Sequence, residues 1–98
     1  MVIPSKVKIG SITYDVSTNK DDYLKGAELL GEISYTDQTV FVRSDIPQER
    51  QDNVFIHEIV HGMLYEMGYE DFNNEDLIKP LSNILYQVLK DNKLSFEE

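Results

Sequence analysis

Residues 55–63 read Phe-Ile-His-Glu-Ile-Val-His-Gly-Met. The chain holds two histidines, His57 and His61, and both stand in this stretch, four positions apart. On a helix, positions i and i+4 share one side and lie one turn apart. Two imidazole nitrogens so placed can reach a single Zn²⁺ at about 2.0–2.1 Å. Glu58 directly follows the first histidine and completes the H-E-x-x-H pattern. In such a site the glutamate is not a ligand. It acts as general base on a zinc-bound water, whose pKa the metal has lowered. Two unrelated surface histidines would carry no such spacing.

A catalytic zinc site needs a third protein ligand and a fourth position for water. The chain has no further histidine and no cysteine, so the third ligand is Asp or Glu. The acidic residues downstream are Glu66, Glu70, Asp71, Glu75 and Asp76. Glu66 falls on the wrong side of its helix. Glu75 opens the next helix at the edge of the apolar stripe, aimed at the neighbouring helix, and is the first choice. The helix macrodipole alone would also favour an acid at this first-turn position, and Asp76 and Asp71, the latter in the loop, are the alternatives. Two imidazoles and one carboxylate favour zinc among divalent ions.

The elements that must position these residues follow from pattern. "KVKIGSITYDV" predicts a hairpin with Gly10-Ser11 as a two-residue turn. "STNKDDYLKGAELLG" holds a loop and one helical turn. Ile33–Tyr35 and Thr39–Val42 are β-rich runs joined by Thr36-Asp37-Gln38. Pro47 suits the first position of a helix running from about Gln48 to Met67 and stopped by Gly68. On the wheel, Ile56, Ile59, Val60, Met63 and Met67 form its core face. His57 and His61 lie away from that face, with Val54 and Leu64 beside them and Glu58 at the flank. A second helix runs from about Asn74 to Asn92, with Leu77, Leu81, Ile84, Leu85, Val88 and Leu89 as one stripe. Pro80 removes the bond to the Asp76 carbonyl, so that helix either kinks or becomes regular near Pro80. The tail "KLSFEE" frays.

At 98 residues the chain is read as a single domain, 1–98, with one core. Its apolar content of 41%, with six tyrosines and four phenylalanines, excludes global disorder. The absence of cysteine excludes a disulfide scaffold and a thiolate metal site. A formal net charge of −9 without a basic cluster speaks against nucleic acid as a partner. No long apolar run marks a signal peptide or a membrane span, so the expectation is a cytoplasmic protein. The class expected is α+β: a small twisted sheet packed against the H-E-x-x-H helix and a C-terminal helix.

With those residues in view, the chain resembles the small zincin metallopeptidase-like proteins of phages and other mobile elements, related in style to the ImmA/IrrE group of peptidases. The resemblance rests on "GEISYTDQTVFV", then "HEIVHGMLYEMG", then "NEDLIKPLSNILYQVLKDN", and spans roughly residues 31–93. It implies His57 and His61 as metal ligands, Glu58 as the base, and an acidic residue near the start of the second helix, matched to Glu75, as the third ligand. It also implies that a substrate peptide pairs with the strand Thr39–Arg43 by strand addition. Tyr65 and Tyr86 are candidate donors to a tetrahedral oxyanion, and each is equally a packing residue. The function so implied is zinc-dependent hydrolysis of peptide bonds in a protein or peptide substrate. The alternative is a zinc-stapled, non-catalytic interaction module acting on a host or regulatory protein.

Overall fold

Alternation of side chains builds the first hairpin. Strand β1, Lys6–Ile9, buries Val7 and Ile9 and exposes Lys6 and Lys8. Strand β2, Ile12–Ser17, buries Tyr14 and pairs antiparallel with β1 across Gly10-Ser11, with Ile9 opposite Ile12. The computed structural model describes residues 2–18 and 29–94, so the loop and helical turn expected between Ser17 and Gly31 fall largely outside the described residues, as does the end of the tail, 95–98.

The second hairpin consists of β3, Gly31–Ser34, and β4, Thr39–Val42, with a turn over 35–38 in which Gln38 takes φ +54°. One pairing is absent from any local pattern. Strand β4 also pairs in parallel with β2, Val16 opposite Val40, so the sheet order is β1-β2-β4-β3. Strand β4 is therefore interior, with Val40 and Val42 fully buried. Strand β3 is an edge.

Helix α1, Gln48–Glu66, crosses this sheet against β1, β3 and β4. Helix α2, Glu75–Asp91, packs on α1. The class is α+β. Pro47 sits at the N-cap of α1, one position earlier than expected, and supplies no side-chain cap. Packing holds the helix instead. Phe55, Ile56 and Val60 are buried, and a fully buried side chain of this size contributes about 1.5–3 kcal/mol. A missing N-cap side chain costs about 1 kcal/mol. The C-terminus closes as a Schellman motif: Gly68 takes φ +81°, its N–H donates to the Tyr65 carbonyl, and the Tyr69 N–H donates to the Leu64 carbonyl at 2.9 Å.

Three expectations need correction. Met63 and Met67, assigned to the core of α1, are exposed, while Val54 and Leu64, placed beside the histidines, are buried. The reason is that α1 is covered on two sides, so its buried residues wrap around it rather than form one stripe. On α2 the stripe also divides. Ile78 and Ser82 are buried and Leu85 packs on the core, whereas Leu81, Ile84 and Val88 are exposed. Finally, Pro80 does not delay the helix. Regular structure begins at Glu75, capped by the Asn74 side chain accepting from the Asp76 N–H at 3.1 Å.

Candidate metal centre

The two histidines lie between α1 and α2, not on an outer face. His57 is half-buried and His61 is buried. Glu75 reaches across from the first turn of α2. Its Oε1 is 3.1 Å from His57 Nε2 and its Oε2 is 2.8 Å from His61 Nε2. These three residues each offer a ligand atom, all within 4.8 Å of one another.

The other ring nitrogens decide what this cluster can hold. His61 Nδ1 is 3.0 Å from the carbonyl oxygen of Phe72. A carbonyl only accepts, so Nδ1 carries the hydrogen. His57 Nδ1 is 3.4 Å from Ser82 Oγ, and that hydroxyl donates its single hydrogen to the Lys79 carbonyl at 3.2 Å. The serine oxygen is then the acceptor for His57 Nδ1–H. In the neutral rings both Nε2 atoms are bare lone pairs facing a carboxylate. Such a set is repulsive unless a proton sits on each ring or a cation sits among the three. Second-contact partners of this kind commonly orient zinc-binding histidines.

The group could hold a cation. Bonds of 2.0–2.1 Å at tetrahedral angles set ligand atoms about 3.3 Å apart. The two contacts to Glu75 fall a few tenths of an ångström short of that. Burial depresses the His57 pKa, against the pull of Glu75. A neutral imidazole is the form that ligates metal.

Glu58 flanks this cluster on the side of β3, near enough for His61 and Glu75 to act on its carboxyl. A Cβ built at Gly31 would lie 3.4 Å from Glu58 Cγ and 2.4 Å from Val54 Cγ1, so β3 comes this close to α1 only because residue 31 has no side chain. Burial raises the Glu58 carboxyl to about 7, opposed by His61 and assisted by Glu75 and Glu32. A carboxyl held there is suited to move a proton near neutrality.

The backbone of β3 faces the same place. The Arg43 N–H donates to the Leu30 carbonyl at 2.9 Å. Continuing the antiparallel alternation turns the N–H and C=O groups of Gly31 and Ile33 away from β4, to an edge without a further strand among the described residues. The strand Thr39–Arg43 is therefore not available to a substrate: β4 already has β2 on one side and β3 on the other. Of the two edge strands, β1 and β3, β3 is the one that lies beside Glu58.

The remaining candidates are sorted by position. Glu66 accepts a hydrogen bond from the buried Tyr14 hydroxyl, on the sheet side of α1. Asp71 accepts from Asn74 Nδ2, and neither it nor Asp76 belongs to the ligand group. Tyr86 lies beside Pro47, Glu49, Arg50 and Asn53, at the far end of the helix pair. Tyr65 stacks on Tyr35 with ring centroids 3.9 Å apart, and Phe72 meets both edge-on. Two residues escaped the sequence reading. Ser82 is buried and orients His57; its signal was a lone serine seven positions after Glu75 on the same helix face. Tyr35 has a buried hydroxyl with no hydrogen-bond partner among the described residues, and burial first, then the Glu58 carboxylate, raise its pKa to about 12.

Compared with protein-family models, curated proteins and solved structures, the chain matches none. Among the described residues, no helix is long and apolar enough to cross a membrane.

Proposed function

We propose that the chain is a zinc-dependent peptidase, with His57, His61 and Glu75 as ligands and Glu58 as the general base. The observation that carries this reading is the convergence of two bare Nε2 atoms and one carboxylate beside a half-buried glutamate of raised pKa. Bound zinc would polarise a scissile carbonyl and acidify a water. The chain's own residues account for the rest. Phe72 and Ser82 hold the imidazoles in one tautomer. The edge of β3 accepts an extended peptide through the outward groups of Gly31 and Ile33, in place of the strand β4. Glu58, alongside Gly31, takes the proton from the attacking water and returns it to the leaving amine.

The test uses a peptide library prepared from a bacterial proteome, with new N-termini mapped by mass spectrometry. Zinc-loaded wild type should produce a defined set of cuts. Glu58→Gln should bind zinc and lose those cuts by about 10²–10⁴-fold in rate. Equal cutting by both would overturn the role of Glu58. Zinc binding with no cutting by wild type would favour the stapled interaction module.

A further inference from the structure

Positions 31, 33 and 35 alternate onto the face of β3 that meets α1, and they meet it in order. A Cβ at Gly31 would touch Val54 and Glu58, and Ile33 Cδ1 lies 3.0 Å from where a Cβ at Gly62 would stand. Tyr35 then stacks on Tyr65. The edge strand and the helix therefore run side by side in the same direction. On α1, Glu58, His61 and Tyr65 follow at spacings of three and four, so they form one strip beside this strand. The base, a ligand histidine and the ring that holds Tyr35 are neighbours on one side of the helix.

Tyr35 is the fixed member of this group. Its ring centroid lies 3.9 Å from that of Tyr65 with the planes 4° apart, and Phe72 meets the two rings edge-on at 5.5 and 5.0 Å. The hydroxyl at the end of the clamped ring is buried, and no hydrogen bond among the described residues satisfies it. Tyr14 is the contrast, because its buried hydroxyl donates to Glu66. A buried donor without an acceptor is destabilising, and natural folds keep few of them. Packing gives no reason for the oxygen, since phenylalanine would make the same stack. Among charged groups, the Glu58 carboxylate acts on this hydroxyl most strongly, ahead of Tyr65. Glu58 is half-buried on a long side chain, whereas the tyrosine ring is held from two directions.

We propose that Tyr35 is a positioning residue: its hydroxyl donates to the Glu58 carboxylate, which turns about its own side-chain bonds to meet it, and so fixes the base beside the metal cluster. A hydroxyl donating to an ionised carboxylate makes a strong bond. A carboxylate bonded through one oxygen keeps the other for the proton of the attacking water. The part in proton transfer rests on the peptidase reading, and the contact itself does not.

Thermal melts in chelator read the contact. Tyr35→Phe keeps the ring and its stack. It should lower the melting temperature of wild type by about 5–10 °C, the scale of one charge-assisted hydrogen bond in a chain of this size. In a Glu58→Leu background the acceptor is gone, and Tyr35→Phe should then raise the melting temperature or leave it unchanged. Tyr69→Phe, at an exposed ring, should change neither background. Activity reads the role. On peptides that zinc-loaded wild type cuts, Tyr35→Phe should lower kcat by roughly tenfold to a hundredfold with KM and zinc affinity unchanged. Equal melting shifts in the two backgrounds would overturn the proposal, and so would coupled melts with an unchanged kcat. Coupled melts in a chain that cuts no peptide would uphold the contact and sink the peptidase reading instead.

Discussion

His61 Nδ1 lies 3.0 Å from the Phe72 carbonyl oxygen, and this one contact dedicates the opposite nitrogen of the ring to Glu75 and whatever binds beside it. A backbone carbonyl cannot donate, so the tautomer is set by the loop between the helices rather than by the motif. His57 depends on a side chain for the same service. It uses Ser82, from α2. The motif residues of α1 thus acquire their chemistry from α2 and the turn before it.

Ser82→Ala removes the acceptor for His57 Nδ1–H. Loss of such an orienting partner typically costs 10–100-fold in metal affinity. We expect zinc affinity to fall by roughly tenfold, the low end of that range, because the contact is long at 3.4 Å. Asn83→Ala, which breaks a 3.3 Å bond to Asn53 one residue away, should leave affinity unchanged. Isothermal titration of both variants with zinc checks this pair of outcomes.

Glu58 makes the metal-free fold sensitive to pH. Its carboxyl is raised from 4.5 to about 7, so between those values the folded chain holds a proton that the unfolded chain has released. Stability therefore falls as pH rises from about 4.5 to about 7. The size is on the order of 3–4 kcal/mol, at about 1.4 kcal/mol per pKa unit. His57, whose pKa is lowered, acts with the opposite sign and is lost as pH falls. In chelator, Glu58→Gln should exceed wild type in stability above pH 7 and converge with it near pH 4. Urea melts at several pH values would reveal a constant offset if the account were wrong.

Gly31→Ala tests the close approach of β3 to α1. The new Cβ would meet Val54 Cγ1 at 2.4 Å and the Phe41 carbonyl oxygen at 3.0 Å. Overpacking of this kind costs about 1–3 kcal/mol. Adding Val54→Ala removes the nearer obstacle and should recover part of the loss, a coupling readable in a double-mutant cycle. Strict additivity would mean that β3 does not rest on Val54.

Lys93 takes φ +57° at the end of α2, where its N–H donates to the Lys90 carbonyl and the Leu94 N–H donates to the Leu89 carbonyl. This is the closure that Gly68 gives to α1, made with a residue that pays for the left-handed conformation. Lys93→Gly should stabilise the chain by about 1 kcal/mol in thermal melts.

Much of this architecture was legible. Period-two and period-3.6 patterning placed both hairpins and both helices to within a residue or two, because each is a local matter of alternation, turn residues and caps. Gly68 marked the end of α1 for the same reason. Position in the third dimension was not legible. Nothing local says that β4 enters between β2 and β3, and that insertion is what disqualifies Thr39–Arg43 and leaves β3 at an edge. The facing of α1 is not legible from the wheel, because a helix covered on two sides has no single core stripe. Glu75 could be picked from its place in a first turn, while Ser82 and the Phe72 carbonyl required the two helices to be seen together.

The central claim is that His57, His61 and Glu75 form one metal site. Zinc titration into chelator-stripped protein, followed by calorimetry, tests it most directly. The expected result is one zinc per chain for wild type, with uptake lost in His61→Ala and Glu75→Ala and kept in Glu66→Ala, Asp71→Ala and Asp76→Ala. Failure of the wild type to take up zinc, or full uptake by Glu75→Ala, would contradict it.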